Sequence, residues 1–136
     1  MIVLLSTVLS PSIAMANKVY VVGDEQGWRG GVDYQAWAAN KIFFVGDILV
    51  FRYVLGKDHV YQVDGPSFHN CSGLVSRVMS SGNDFIRLAA PGRQWFFGDH
   101  CYDGQKLVIT VSPPPFAFPP SFPPRPAQSP SWFANP

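Results

Sequence analysis

From residue 18 onward, apolar and β-branched side chains come in short runs broken by glycine, proline and aspartate. Lys18-Val19-Tyr20-Val21-Val22 stops at Gly23-Asp24, and the run from Ile48 to Tyr53 follows Gly46-Asp47. His59 to Val63 leads into Asp64-Gly65-Pro66. Phe85 to Leu88, Arg93 to Phe97 after Pro91-Gly92, and Leu107 to Val111 complete the series. Branched and aromatic side chains pack well on a pleated surface, and glycine or Asx residues accommodate the reversals, so each run predicts a strand. Short strands at this spacing predict an all-β sandwich or barrel, not a parallel α/β sheet. One segment breaks the rule. Asp33 to Asn40 starts on a capping residue and places Tyr34, Trp37 and Ala38 at helical spacing. It predicts a helix of barely two turns, held by packing Trp37 onto the sandwich.

Composition then narrows the class. The 136 residues suffice for one modest domain, and they are 47% hydrophobic and 15% aromatic. A net charge of +1, with the ten lysines and arginines scattered singly, gives no footprint for nucleic acid. The first 16 residues are apolar and end in Ala14-Met15-Ala16, the small-x-small pattern of a signal-peptide cleavage site. The basic n-region is missing, so either the signal is atypical or the true start lies upstream of Met1. The stretch is too short to span a membrane, which takes about 20 apolar residues. Secretion would place the protein outside the cell, in the apoplast or on the outer face of the plasma membrane. In an oxidising compartment, the two cysteines, Cys71 and Cys101, are most simply one disulfide. The chain-entropy model gives roughly 3.5 kcal/mol for closing a loop of that length.

The domain is expected to span residues 17–112. Residues 113–136 hold ten of the thirteen prolines and should be extended polyproline II or disordered, as a wall-facing stalk or a plain tail. No closing apolar run supports a lipid anchor. Asn70-Cys71-Ser72 is an N-glycosylation sequon, although a bridged cysteine at its centre lowers acceptor efficiency. Ser67 to Cys71 is a loop by composition, with His69 as a solvated surface imidazole. No Gly-x-Ser-x-Gly elbow, His-Glu-x-x-His or phosphate-cradling glycine loop is present, and Asp99 and Asp103 read as loop acids. No catalytic residue is assigned.

The remaining chemistry lies in Gly98-Asp99-His100-Cys101-Tyr102-Asp103-Gly104-Gln105-Lys106-Leu107. Together with Val22-Gly23-Asp24, Gly27-Trp28, Asp33-Tyr34, Trp37 to Lys41, Phe44 to Phe51 and Asn70-Cys71, it resembles the phytocyanins, the plant blue-copper family. The resemblance covers residues 17–112. It implies a cupredoxin-like Greek-key β-sandwich of two sheets with one or two short helices, tied by a Cys71–Cys101 bridge. Members of the family are extracellular or membrane-anchored; some bind copper, and early nodulin-like and related members do not. The chain is expected to be a monomer.

Carried over one position at a time, the second histidine ligand falls on His100 and the axial ligand on Gln105, as in stellacyanin-like members. The slot of the first histidine falls on Asp58, with His59 one position later. Successive strand residues face opposite ways, so that displacement turns the His59 imidazole from the site unless a bulge absorbs it. A blue-copper centre needs a thiolate besides two imidazoles. Here Trp95-Phe96-Phe97 runs straight into Gly98, the loop looks a few residues short, and no cysteine is left over. A reading with Cys101 as ligand would require two unpaired thiols. Sequencing the transcript across Trp95 to Cys101 would test whether the short loop is genuine. Two expectations follow: a cell-wall or cell-surface binding module without a cofactor, meeting wall glycans or wall proteins, or a copper-binding electron carrier using His59, His100 and Gln105.

Overall fold

The computed structural model describes residues 17–114; the expected signal segment and most of the proline-rich tail lie outside them. Two sheets face each other. The smaller one has the order β1 (Val19–Val21), β3 (Ile48–Arg52), β6 (Asn83–Arg87). The larger has the order β2 (Phe43–Phe44), β8 (Lys106–Ser112), β7 (Gly92–Phe97), β4 (Val60–Val63), β5 (Val75–Met79). Most pairings are antiparallel, but β1 lies parallel to β3 and β2 parallel to β8. The all-β sandwich expectation is met.

Alternation along the strands builds the core. Leu49 and Phe51 of β3, Ile86 of β6, Val60 of β4, Phe96 of β7 and Leu107, Ile109 and Val111 of β8 all turn inward. Trp28 and Tyr34 enter from the connection after β1, and their rings stand 4.9 Å apart. The helix α1 (Tyr34–Ala38) starts where the sequence places it, with the Asp33 carboxylate accepting from Ala36 N at 3.0 Å. Trp37 is half-buried against the core.

Three elements differ from the sequence reading. β2 and β5 were not predicted, and the segment read as a loop at Ser67–Cys71 is mostly the helix α2 (Gly65–Asn70). Its start is well specified after all. The Asp64 carboxylate accepts from Ser67 N at 2.9 Å, and Pro66 stands in the first turn where its missing N–H is harmless. The hydrogen bonds from Ser67 hold the Asp64 carboxyl below the usual value of 3.8. Phe68 of α2 covers a second, smaller apolar layer with Val63, Phe97 and Cys101 on the outer face of the larger sheet. His69 is exposed, as expected.

The chain enters and leaves the domain at one end. Buried Asp47 gathers Asn17 N, Lys18 N and Phe44 N on its carboxylate at 2.9–3.0 Å, and Val45 N donates to Ser112 O at 3.0 Å. The loops around His100 lie at the other end, where β3 and β7 finish and β4 and β8 begin.

Candidate functional site

The site is assembled by two connections: residues 53–59 between β3 and β4, and residues 98–105 between β7 and β8. The second is a tight loop. Gly98 N donates to Gln105 O at 2.9 Å, Cys101 N to Gly98 O at 3.1 Å, and a 3₁₀ turn covers Cys101–Asp103. Gly104 ends that turn at φ 81°, a left-handed conformation that glycine adopts without strain. Gln105 is fully buried, its Oε1 accepts from His100 N at 2.8 Å, and its Nε2 has no hydrogen-bond partner. The amide lies directly over Gly98, where a Cβ would come within 2.2 Å of Gln105 Oε1. Position 98 therefore has no room for any side chain while Gln105 keeps this rotamer.

The disulfide fixes the loop from outside. Cys71, the left-handed residue closing α2, is bonded to Cys101, with Cα atoms 5.7 Å apart. No free cysteine is present among the described residues, and the sequence has no third one.

The two histidines sit in different environments. Val60 faces the core, so Asp58, two residues earlier, leans inward and His59 leans outward beside Tyr61, with ring centroids 5.6 Å apart. Asp58 is only 7% exposed, and its Oδ1 lies 2.7 Å from His100 Nδ1. His59 Nδ1 lies 2.5 Å from Asp99 Oδ2, whose other oxygen accepts from the Tyr61 hydroxyl at 2.7 Å. Each imidazole is thus paired through Nδ1 with its own carboxylate. The backbone explains the pairing, because consecutive residues 58 and 59 meet consecutive residues 100 and 99 across the gap between the two connections.

The charges reinforce this arrangement. Asp58, through its hydrogen bond and its negative charge, raises His100 above the ordinary 6.5. Burial pushes Asp99 upward, but hydrogen bonds from His59 and Tyr61 outweigh it and leave the carboxyl below 3.8. Burial and the bond to Asp99 lift the Tyr61 hydroxyl to about 12. A group raised in the folded state stabilises the fold fully below its unfolded value and loses that contribution as pH rises through the folded value. A lowered carboxyl contributes above its unfolded value and loses that as pH falls. The tip should be held best between about pH 4 and about pH 6.5, and should loosen as pH rises through the raised titration of His100. Asp58→Asn should move the His100 ring titration, followed by NMR, back toward 6.5. An unchanged titration would show that Asp58 does not hold the ring in solution.

Of the residues singled out from sequence, His100 and Gln105 are brought together, while His59 is turned to Asp99. Among the described residues, no group of three or more His, Cys, Asp or Glu side chains converges on a metal position. Trp95 and Phe97 face the α2 side and Phe96 the core, so the strand before Gly98 offers aromatic rings and no metal-ligating side chain there. The sequence reading missed Asp99 and Tyr61 as partners of His59. Strand alternation from Val60 was the signal that could have placed Tyr61 and His59 on one face.

The plastocyanin-like domain model matches residues 28–105. A blue copper protein of Petunia hybrida is 45% identical over 123 residues, covering 87% of this chain and 46% of that protein, so the chain spans about half the length of this relative. Early nodulin-like protein 15 of Arabidopsis thaliana is 32% identical over 130 residues, covering 89% of this chain and 70% of that one. The solved structure of cucumber stellacyanin with Cu2+ superposes with a TM-score of 0.64 at 32% identity, covering 73% of this chain and 98% of that one.

Proposed function

The chain belongs to the plastocyanin-like phytocyanin family, and we propose that within it the protein is a secreted binding module without a blue-copper centre, working at the cell wall or cell surface. The observation that carries this reading is the bridge between Cys71 and Cys101, the only cysteines in the sequence. A blue-copper centre takes its character from a thiolate set with two imidazoles in a trigonal array. The donors at this tip are two imidazoles, each tied to a carboxylate through Nδ1, and one buried amide. That set does not fit blue copper. The carboxylate–imidazole pairs do instead what a shared metal would do mechanically, joining the connection before β4 to the connection after β7. Ser112, the last residue of β8, lies at the end of the sandwich away from His100, so the terminal strand leaves the tip open.

A copper-carrying reading rests on a different observation, the close placement of His100 and buried Gln105. One titration separates the two. Adding Cu(II) to protein with its disulfide intact should give no intense visible thiolate-to-copper absorption, and any bound ion should show the electron spin resonance of an ordinary nitrogen–oxygen site. A stoichiometric, strongly blue complex would overturn the proposal and establish the carrier. The module's partners are proposed to be wall glycans or wall proteins. Binding to immobilised wall polysaccharide, weakened by substitutions at the tip and unaffected by chelators, is the corresponding test.

A further inference from the structure

We propose that Asn70 carries an N-linked glycan and that its first sugar rests on the exposed ring of Tyr102. Asn70-Cys71-Ser72 is an acceptor sequon with no proline at its centre. Asn70 ends α2 on the protein surface, and Ser72 is exposed beside it. Tyr102, in the 3₁₀ turn, is 87% exposed, the most of any large hydrophobic side chain among the described residues. Its hydroxyl nevertheless donates to Asn70 O at 3.3 Å. The ring is therefore held within a few ångströms of the acceptor residue with its surface open to solvent. Two segments 30 residues apart in sequence meet here, joined by the bond between Cys71 and Cys101. An aromatic ring presents an apolar face, and the C–H groups of a pyranose present a matching one, so the first sugar has a platform ready.

The folded geometry also dictates when transfer occurs. Asn70 is helical, Cys71 is left-handed at φ 53°, and Ser72 N is bonded to Ser67 O at 3.2 Å. This compact turn, closed by the bridge, locks the acceptor amide and the hydroxyl two residues later in one arrangement, whereas the open chain is free to fit a transferase. Transfer precedes closure of α2 and of the bridge. In it, Asn70 Nδ2 attacks C1 of a polyprenyl-diphosphate-linked oligosaccharide. The C1–N bond forms, the C1–O bond breaks, the amide gives up one proton, and the diphosphate leaves with the electron pair. No redox step is involved. Disulfide formation at Cys71 competes with transfer, so the chain emerges as a mixture of glycosylated and bare forms.

The inference shares with the function proposed above only passage through the secretory route. The full chain is directed into the secretory pathway of a eukaryotic host and read as denatured protein, so that misfolding of a variant does not obscure occupancy. Expected are a fraction with a glycan mass shift removed by an amidase that converts Asn70 to aspartate, loss of that fraction in Ser72→Ala, and a larger fraction in Ser72→Thr and in Cys101→Ser. A chain unshifted both in the natural sequence and in Ser72→Thr overturns the site. For the platform, melting temperatures are compared with and without the glycan (Asn70→Gln), each with Tyr102 and with Tyr102→Ala. The glycan should raise the melting temperature more when Tyr102 is present. Equal shifts in both backgrounds overturn the platform.

Discussion

Replacing Cys71 and Cys101 together with serine should lower the free energy of unfolding by about 3–4 kcal/mol, most of it through the unfolded chain. Removing the link restores the conformational freedom of a 30-residue loop to the unfolded ensemble. A domain of this size has about 5–15 kcal/mol in all, so the variant should be folded at room temperature yet melt many degrees lower. The folded state contributes as well. Cys101 belongs to the small outer layer with Val63, Phe68 and Phe97, and the bridge joins the end of α2 to the loop carrying His100. Loss of that tie should be accompanied by faster amide exchange at residues 98–104 than in the core strands. Urea unfolding of the double variant beside the natural protein gives the number. A loss below about 1 kcal/mol would mean that the loop is already restricted in the unfolded state, contrary to the entropic account.

β3 and β8 were plain in the sequence because they are runs of branched and aromatic residues that the fold buries, Leu49, Val50 and Phe51 in β3 and Leu107, Ile109 and Val111 in β8. β5 was not, because it is an edge strand whose Val75, Ser76, Arg77 and Val78 are all exposed, so burial imposed no alternation on its sequence. β2 has two residues and carries no period at all. α2 was hidden by composition, since Gly65, Pro66, Ser67 and Asn70 are weak helix formers; its stability comes from the Asp64 cap and from Phe68 packing on the sheet. At the tip, the alternation from Val60 made the outward lean of His59 foreseeable. The partners were not. Asp58 and His100 are 42 residues apart and His59 and Asp99 are 40, and only the fold brings such pairs together.

Trp28→Ala should be the most damaging single substitution, at about 3–5 kcal/mol, because it empties a fully enclosed site and strands a polar partner at once. The Trp28 side chain is 1% exposed, and its ring centroid stands 4.9 Å from those of both Tyr34 and Phe51. Its Nε1–H donates to His59 O at 3.0 Å, so the same residue that fills the core also fixes the backbone carrying the outward histidine. Trp28→Phe separates the two roles. It keeps much of the apolar volume and removes the donor, so it should lose about 1–3 kcal/mol for the unsatisfied carbonyl and reduced packing. In that variant the His59–Asp99 pair should loosen, seen as broader His59 ring signals, while His100, anchored through Asp58 and Gln105, keeps its titration. If the His100 ring signals broadened as much as those of His59, the two carboxylate–imidazole pairs would be one coupled unit, and the tip would respond as a single rigid body instead of two independent ties.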